Sequence, residues 1–211
     1  MDIKNLRLNY TKDSIDFHNL TDNPIEFFKC WFSDALELNK YEANACILST
    51  ISSSQEPNSR VVLLKGIDNK GFIFFTNYES TKGNHIEYNN SVALNFYWPA
   101  LERQVRINGI AKKITEQDSD TYFKSRPRGS QIGAWVSQQS KSIMIDDDLI
   151  SSLNELEVKF KGQEVNRPKN WGGYCIIPKR IEFWQGRESR LHDRLVYEIT
   201  DGVWKVYRLA P

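Results

Sequence analysis

Arg60-Val-Val-Leu-Leu-Lys-Gly-Ile-Asp-Asn-Lys-Gly-Phe-Ile-Phe-Phe-Thr76 is the stretch that decides the fold. Two short runs rich in β-branched and aromatic residues, Arg60–Ile67 and Gly71–Thr76, are joined by the turn Asp68-Asn69-Lys70-Gly71. Such a pattern reads as strand, turn, strand. The same texture extends outward. Ala45–Ile51 reads as a strand before it, and Ser91–Trp98 and Arg103–Ile114 as longer strands after it, with a short helix at Lys82–Asn90. Short strands at close spacing, without βαβ alternation, point to an antiparallel barrel rather than a doubly wound sheet. There is no Gly-rich dinucleotide fingerprint, which excludes a Rossmann site.

Helices flank this block, so the class is mainly β with helices (α+β). Asn23-Pro24 offers an N-cap followed by Pro at the first helical position, and Phe27, Phe28, Trp31, Phe32 and Leu36 recur at helical spacing to about Leu38. Glu116–Lys124, Gln131–Val136 and Asp146–Phe160 read as further helices, the last with Leu149, Leu153, Leu156 and Phe160 on one stripe. Asp146-Asp147-Asp148 places favourable charge at its start. After a polar loop at Lys161–Lys169, Trp171–Pro178, a hairpin and Val203–Leu209 return to strand. Residues 1–22 are polar and aperiodic and read, as residues alone, as a disordered tail, a mobile arm whose one dense spot is Arg7-Leu8-Asn9-Tyr10. Residues 23–211 form one domain, as a chain of 211 residues allows.

The net charge of +1 argues against a general nucleic-acid or anionic-membrane role. Cys30, Cys46 and Cys175 are odd in number and widely spaced, which disfavours a zinc site or redox pair and suits a reduced, cytoplasmic chain. The first residues lack a signal-peptide core, and no apolar run approaches a membrane span.

Three places hold candidate chemistry. Ile181–Arg194 reads as a hairpin turning at Gln185-Gly186, and period-two alternation would put Arg190, His192 and Arg194 on one face. Nothing acidic shares that face before Glu198, so it is either solvated or waiting for an electron-rich ligand beside Trp184. In Tyr122–Gln131, Tyr122 and Arg126 lie four apart, Pro127 stops the helix, Gly129 permits a turn and Ser130 stands where it would cap the next helix. Free amides, a hydroxyl and a guanidinium suit a phosphate; a helix–turn–helix with solvated arginines fits the segment equally well. Lys82 at a helix start opposes the macrodipole, which points to an anion there. Weaker signals are Arg60 and Lys65 at the ends of an apolar strand (ordinary snorkelling explains them too), Gln104 with Arg106 on one strand face that reads equally as a solvated edge, and Gln139-Ser140. His18 falls in the arm and His85 on a helix surface.

Arg60-Val-Val-Leu-Leu-Lys65, Leu101-Glu-Arg-Gln104, Ser125-Arg-Pro-Arg-Gly-Ser-Gln-Ile-Gly-Ala-Trp-Val-Ser-Gln-Gln-Ser140, Phe183-Trp-Gln-Gly186 with Arg190-Leu-His-Asp-Arg194, and Arg208-Leu-Ala-Pro211 together resemble the pyridoxamine/pyridoxine 5′-phosphate oxidase family. The resemblance runs from the arm to the last residue. It implies an FMN-binding split β-barrel of antiparallel Greek-key type, working as a homodimer with FMN at the subunit interface. The implied reaction converts pyridoxamine 5′-phosphate or pyridoxine 5′-phosphate to pyridoxal 5′-phosphate, with O2 as acceptor, releasing H2O2, and NH3 from the amine. This is the final step of vitamin B6 cofactor synthesis or salvage.

By motif, the resemblance implies that Arg60, Val61, Val62, Leu63, Leu64, Lys65, Phe75, Thr76, Lys82, Gln104, Gln139, Ser140, Trp184 and Arg194 contact FMN. Lys65, Tyr122, Arg126 and Ser130 correspond to the substrate-phosphate cradle, and Arg190 and His192 to the catalytic pair over the substrate ring. Arg7, Leu8, Asn9 and Tyr10 correspond to a segment that closes over bound substrate. A split-barrel flavin reductase or a non-catalytic FMN-binding protein would share barrel and FMN, but has no reason to keep both the cradle and Arg190/His192. Two positions depart from the family pattern. Thr81 stands where an Arg is usual before Lys82, removing a charge-assisted bond worth about 1.5–3 kcal/mol, and Phe75 stands where Tyr is common.

Overall fold

The computed structural model describes residues 3–6, 8–38 and 42–211; Arg7, nominated with the arm, lies outside them. In chain order the elements are α1 (Pro24–Leu38), β1 (Ala45–Ile51), β2 (Pro57–Leu63), β3 (Gly66–Ile67), β4 (Phe72–Asn77), α2 (Thr81–Tyr88), β5 (Ser91–Trp98) and β6 (Arg103–Lys113). There follow α3 (Glu116–Ser125), α4 (Arg128–Val136), α5 (Leu149–Lys159), β7 (Trp171–Gln185), β8 (Asp193–Thr200) and β9 (Val203–Arg208). The strands form one antiparallel sheet in the order β2-β1-β5-β6-β7-β4-β3, with β8 added on β7 and β9 on β8. It curls into the half-barrel that the strand spacing implied.

Asn23 caps α1 as expected: its Oδ1 accepts from the Ile25 amide at 3.0 Å. Phe28 and Trp31 then enter the core, where Phe28 meets Phe72 and Phe96 edge-on. A second, smaller cluster of Phe123, Ile132, Val165 and Trp171 lies beneath the helices, with Leu153, Leu156 and Phe160 packed against it. Leu149, the first member of that stripe, stays exposed.

The strand expected at Arg60–Ile67 is broken at Leu64-Lys65, because the backbone changes partner there. The Leu64 amide still donates to Asn44 O on the β1 side, whereas the Lys65 amide donates to Ile73 O on β4. Conversely, Trp171–Pro178 and the hairpin's first arm are one strand. Along one edge of β7 runs β6; along the other, β4 pairs up to Ile176 and β8 begins at Arg180. Pro178, which donates no ladder bond, sits in the gap between those partners, where it is tolerated. The β6 register shifts opposite it, between Asn108 and Gly109. A Cβ on Gly109 would lie 2.4 Å from Ile177 O, so only glycine fits this bulge.

Two helix starts also differ from the sequence reading. Asp148 alone caps α5, accepting from the Ile150 and Ser151 amides at 3.0 Å, and leaves Asp146 and Asp147 outside the helix. α4 begins at Arg128 with Pro127 at its cap, so Gly129 lies within the helix, and Ser130, whose amide donates to Pro127 O, is no cap. Among the described residues no helix is long and apolar enough to cross a membrane.

Candidate active site

Tyr122 on α3 and Arg126 at its C-cap meet around Trp171, but not on one helix face as the spacing of four would have it, because α3 ends at Ser125. Tyr122 stacks on Phe75 of β4 at 3.7 Å between centroids, and the Arg126 guanidinium lies over the Trp171 ring at 4.5 Å. Arg126 itself has left helical geometry (φ −72°, ψ 148°), which turns its side chain across the sheet rather than along the helix. Its Nη1 is buried without a hydrogen-bond partner, and no carboxylate pairs with it among the described residues. Burial holds its pKa below the usual guanidinium value, with Tyr122 opposing, and burial raises the Tyr122 hydroxyl. Arg126 is half-buried as a residue, but a buried donor left idle is costly in the free chain, and an anion would complete it. Ser130 is exposed nearby in sequence on α4. Lys65 is exposed at the β2–β3 break, opening on a cleft with Lys29 and Asn44.

A second cationic cluster surrounds the start of α2. Ser80 caps that helix, and Lys82 behind it is 8% exposed. Its Nζ donates to Gln139 Oε1 at 3.3 Å and Ser80 Oγ at 3.4 Å, while Thr76 Oγ1 donates to the same Gln139 oxygen at 3.1 Å. Burial first, and the charge of Arg60 second, lower the Lys82 pKa. Arg60 donates to Thr50 Oγ1 at 2.7 Å and to Leu48 O at 3.1 Å; burial lowers its pKa too. Thr50 also meets His85 Nδ1 at 3.1 Å, so His85 packs on β1 instead of lying free on the helix surface. Two buried-side cations with no carboxylate paired to either, among the described residues, fit a dianionic phosphate. Thr81, in the position of the missing arginine, is exposed. Ser140 follows Gln139 with a left-handed φ of 72°. Val61 and Leu63 are exposed on the outer face of β2, with Val62 half-buried and Leu64 in the core.

The hairpin carries the third group, rearranged from the alternation expected. Gln185 still belongs to β7, the connection spans residues 186–192, and Ser189 and Arg190 both take left-handed φ values of 54° and 62°. Those two residues break the period of two, so Arg190, His192 and Arg194 do not share a strand face. Arg190 is exposed in the connection; Arg194 is on β8, directly across from Trp184. His192 folds back on Trp184 with centroids 4.6 Å apart. Tyr10 from the arm meets Trp184 edge-on at 5.7 Å and His192 at 5.8 Å. Gly186 makes room for it, since a Cβ there would lie 2.7 Å from Tyr10 Cγ. Leu8, Asn9, Tyr10, Arg190 and His192 line one cleft of about 630 Å³. The arm beyond is docked: Asp13 pairs with Arg103 at 2.5 Å, and the Ile15 amide donates to Asp193 Oδ2 at 3.2 Å.

An acidic residue does share this face, contrary to expectation, on the hairpin's first arm, where the alternation Ile181-Glu182-Phe183-Trp184 puts it on the side of Trp184. Glu182, 1% exposed, accepts from Arg194 Nε and Nη2 through Oε1 at 2.9 and 2.8 Å, and from Arg106 and Arg180 through Oε2 at 2.6 and 2.9 Å. Gln104 donates to Asn95 Oδ1 at 2.9 Å. β6 lies between β5 and β7 and is no edge, although Arg106 on it remains exposed. Burial alone would raise the Glu182 pKa; Arg194 and Arg180, with the charge of Arg106, hold it below the ordinary carboxylate value. The stability it brings is therefore full above that ordinary value and fades as pH falls through the folded-state value. Glu182→Gln should cost about 3–5 kcal/mol, because three guanidiniums lose a buried counter-charge. Urea unfolding at pH 7 checks this, and a loss under 1 kcal/mol would show the cluster to be solvent-compensated.

The Tyr122–Arg126 group and the hairpin group lie at opposite ends of β7. Phe75 pairs with Gly173 of β7, and Gln104 with Trp184, eleven residues further along the same strand. That is about 36 Å of strand contour. Among the described residues, no hydrogen bond, ion pair or ring contact joins the Tyr122–Arg126 group to the Trp184–His192 group.

Comparison with known proteins identifies the family. Residues 32–152 match the family model described as pyridoxamine 5′-phosphate oxidase, and residues 171–211 the one described as the pyridoxine 5′-phosphate oxidase C-terminal dimerisation region. The chain is 48% identical over 211 residues to a pyridoxine/pyridoxamine 5′-phosphate oxidase of Pseudomonas paraeruginosa, covering 99% of this chain and 98% of that one. It is 49% identical over 210 residues to the enzyme so named in Rubrobacter xylanophilus, covering 100% and 97%. Among solved structures, PhzG from Burkholderia lata 383, in complex with tetrahydrophenazine-1-carboxylic acid, superposes with a TM-score of 0.87 at 28% identity, over 94% of this chain and all of that one. A pyridoxamine 5′-phosphate oxidase-related, FMN-binding protein of Nostoc punctiforme shares the fold, with a TM-score of 0.70 at 16% identity, over 87% of this chain and 97% of that one.

Proposed function

This chain belongs to the pyridoxamine 5′-phosphate oxidase family, and on that footing we propose that it binds FMN and oxidises pyridoxamine 5′-phosphate or pyridoxine 5′-phosphate to pyridoxal 5′-phosphate. O2 takes the electrons and leaves as H2O2, and the amine substrate also releases NH3. The observation that carries the substrate's phosphate is half-buried Arg126, whose Nη1 is buried with no hydrogen-bond partner and which has no carboxylate partner among the described residues.

FMN supplies the hydride acceptor when bound. Lys82, Arg60, Thr76 and Gln139 would hold its phosphate, and Gln104, Trp184 and Arg194 its ring end, with Ser140 and the Arg60–Lys65 strand alongside. Tyr122, Arg126, Ser130 and Lys65 anchor the substrate phosphate and so set where the C4′ carbon lies. Arg190 and His192 orient the pyridine ring. Arg194, fixed by Glu182 and by the Ala210 carbonyl at 2.8 Å, favours negative charge on the pyrimidine side of the reduced cofactor. Leu8, Asn9 and Tyr10, with Arg7, close over the bound substrate.

The separation along β7 favours a homodimer in which each site takes its phosphate clusters from one protomer and its hairpin from the other. The matched C-terminal dimerisation region covers that hairpin, which supports the same arrangement. Purified protein should be yellow and should generate peroxide from pyridoxine 5′-phosphate but not from unphosphorylated pyridoxine. A colourless protein without affinity for FMN would sink the reading.

A further inference from the structure

We propose that His192 serves this reaction as a neutral hydrogen-bond donor through Nε2, and that the peptide amide of Arg187 fixes it in that form. The inference rests on the oxidase reading above and assigns a role within it.

The Arg187 amide donates to His192 Nδ1 at 3.0 Å. An amide N–H only donates, so Nδ1 must present a lone pair, and the single proton of the neutral ring then sits on Nε2. The hairpin is shaped for this contact. Left-handed Ser189 and Arg190 fold the connection back, which carries His192 to the amide of the residue five before it. The ring is held from the sides by Trp184 of β7 and Tyr10 of the arm. Its own carboxylate neighbour, Asp193, is engaged elsewhere: Oδ2 accepts from the Ile15 amide at 3.2 Å, and the Arg187 and Arg208 guanidiniums lie 3.7 Å from the two oxygens. The Arg187 side chain points away, donating to Asp13 O at 2.9 Å.

A second proton on the ring would have to go on Nδ1, facing the amide hydrogen and breaking that bond. Burial and the charge of Arg190 act in the same direction, lowering the His192 pKa from the ordinary imidazole value, with Asp193 opposing. At pH 7 the ring is therefore neutral, protonated at Nε2 and occupied at Nδ1. Neither nitrogen is open to take a proton from the substrate. When the alcohol substrate loses hydride from C4′, its hydroxyl proton must also leave; it goes to water rather than to His192. What the ring offers instead is one N–H, suited to an electron-rich oxygen on the substrate ring.

Full-length, FMN-loaded protein labelled with ¹⁵N at histidine tests the assignment without turnover. The chain has three histidines, and His192→Gln identifies the resonance of interest by its loss. At pH 7 the Nε2 signal should be of the protonated type and Nδ1 of the lone-pair type. The reverse tautomer, or a charged ring, overturns the proposal. Kinetics provide the second arm, because the Gln side-chain amide donates near the Nε2 position but has no basicity. A neutral hydrogen bond corresponds to about tenfold in rate, whereas a general base contributes about 10²–10⁴. His192→Leu should therefore lower kcat about tenfold, with His192→Gln recovering most of the loss. Equal losses of about 100-fold or more in both variants, or none in either, overturn the donor role. If instead the wild-type protein turns over neither phosphorylated substrate, the oxidase reading fails while the tautomer result still stands.

Discussion

Arg126→Ala should raise KM for the phosphorylated substrate about 100-fold, change kcat little, and leave the phosphate-free protein as stable as before or more so. The first part follows from a charge-assisted bond to a dianion, worth about 1.5–3 kcal/mol and strengthened by the aromatic walls. The second is the more telling. Most arginines with buried nitrogens are paired, and losing one exposes its partner; Arg126 has a buried Nη1 with no partner and no carboxylate counter-ion among the described residues, so removing that idle donor offsets the loss of its stacking on Trp171. A variant that weakens the substrate and strengthens the fold marks a residue kept for binding. Thermal melts with and without inorganic phosphate, beside steady-state kinetics, measure both. A melting temperature lowered as much as KM is raised would show Arg126 to be structural.

Two inactive variants should rescue each other. Arg126→Ala disables the cradle and His192→Leu, combined with Arg190→Ala, disables the hairpin, so each homodimer should fall well below a tenth of wild-type activity at limiting substrate. Mixed by unfolding and refolding together, half the dimers are hybrids, and each hybrid contains one site in which both halves are wild type. Recovery should approach about a quarter of wild-type activity, as the symmetry of a two-fold dimer dictates. Activity that stays at the parental level would mean that both halves come from one chain. The contour between Gly173 and Trp184 argues against that.

Local rules made much of this legible in the sequence. β1 and β5 lie at Ala45–Ile51 and Ser91–Trp98, as alternation and turn residues placed them. The segment of Tyr122 and Arg126 could be singled out from its residue types, although the helix that a spacing of four assumes stops before Arg126. What escaped depended on partners distant in sequence. The break at Leu64-Lys65 marks a change from β1 to β4, and Pro178 looked like a strand end because its vacancy in the ladder was not visible. Ser189 and Arg190 are not glycine, so nothing in their identity announced left-handed backbone or the regrouping of His192 with Arg187. Glu182 gathers arginines from β6, β7 and β8; the period-two pattern of β7 had already set it beside Trp184, but only the sheet order reveals its clients.

β7 is a measuring rod as well as a strand. In the proposed site, the positions of cradle and hairpin relative to one another are set by a count of residues between Gly173 and Trp184, including Pro178–Arg180, where the register with β6 shifts. Inserting a single residue there would turn every later side chain to the opposite face of the sheet, and would displace the hairpin half of both sites in one event. The same insertion in the polar loop at 161–169 lengthens a surface connection at little cost. Substitutions within the rod are therefore graded in effect, whereas changes in its length are all or nothing.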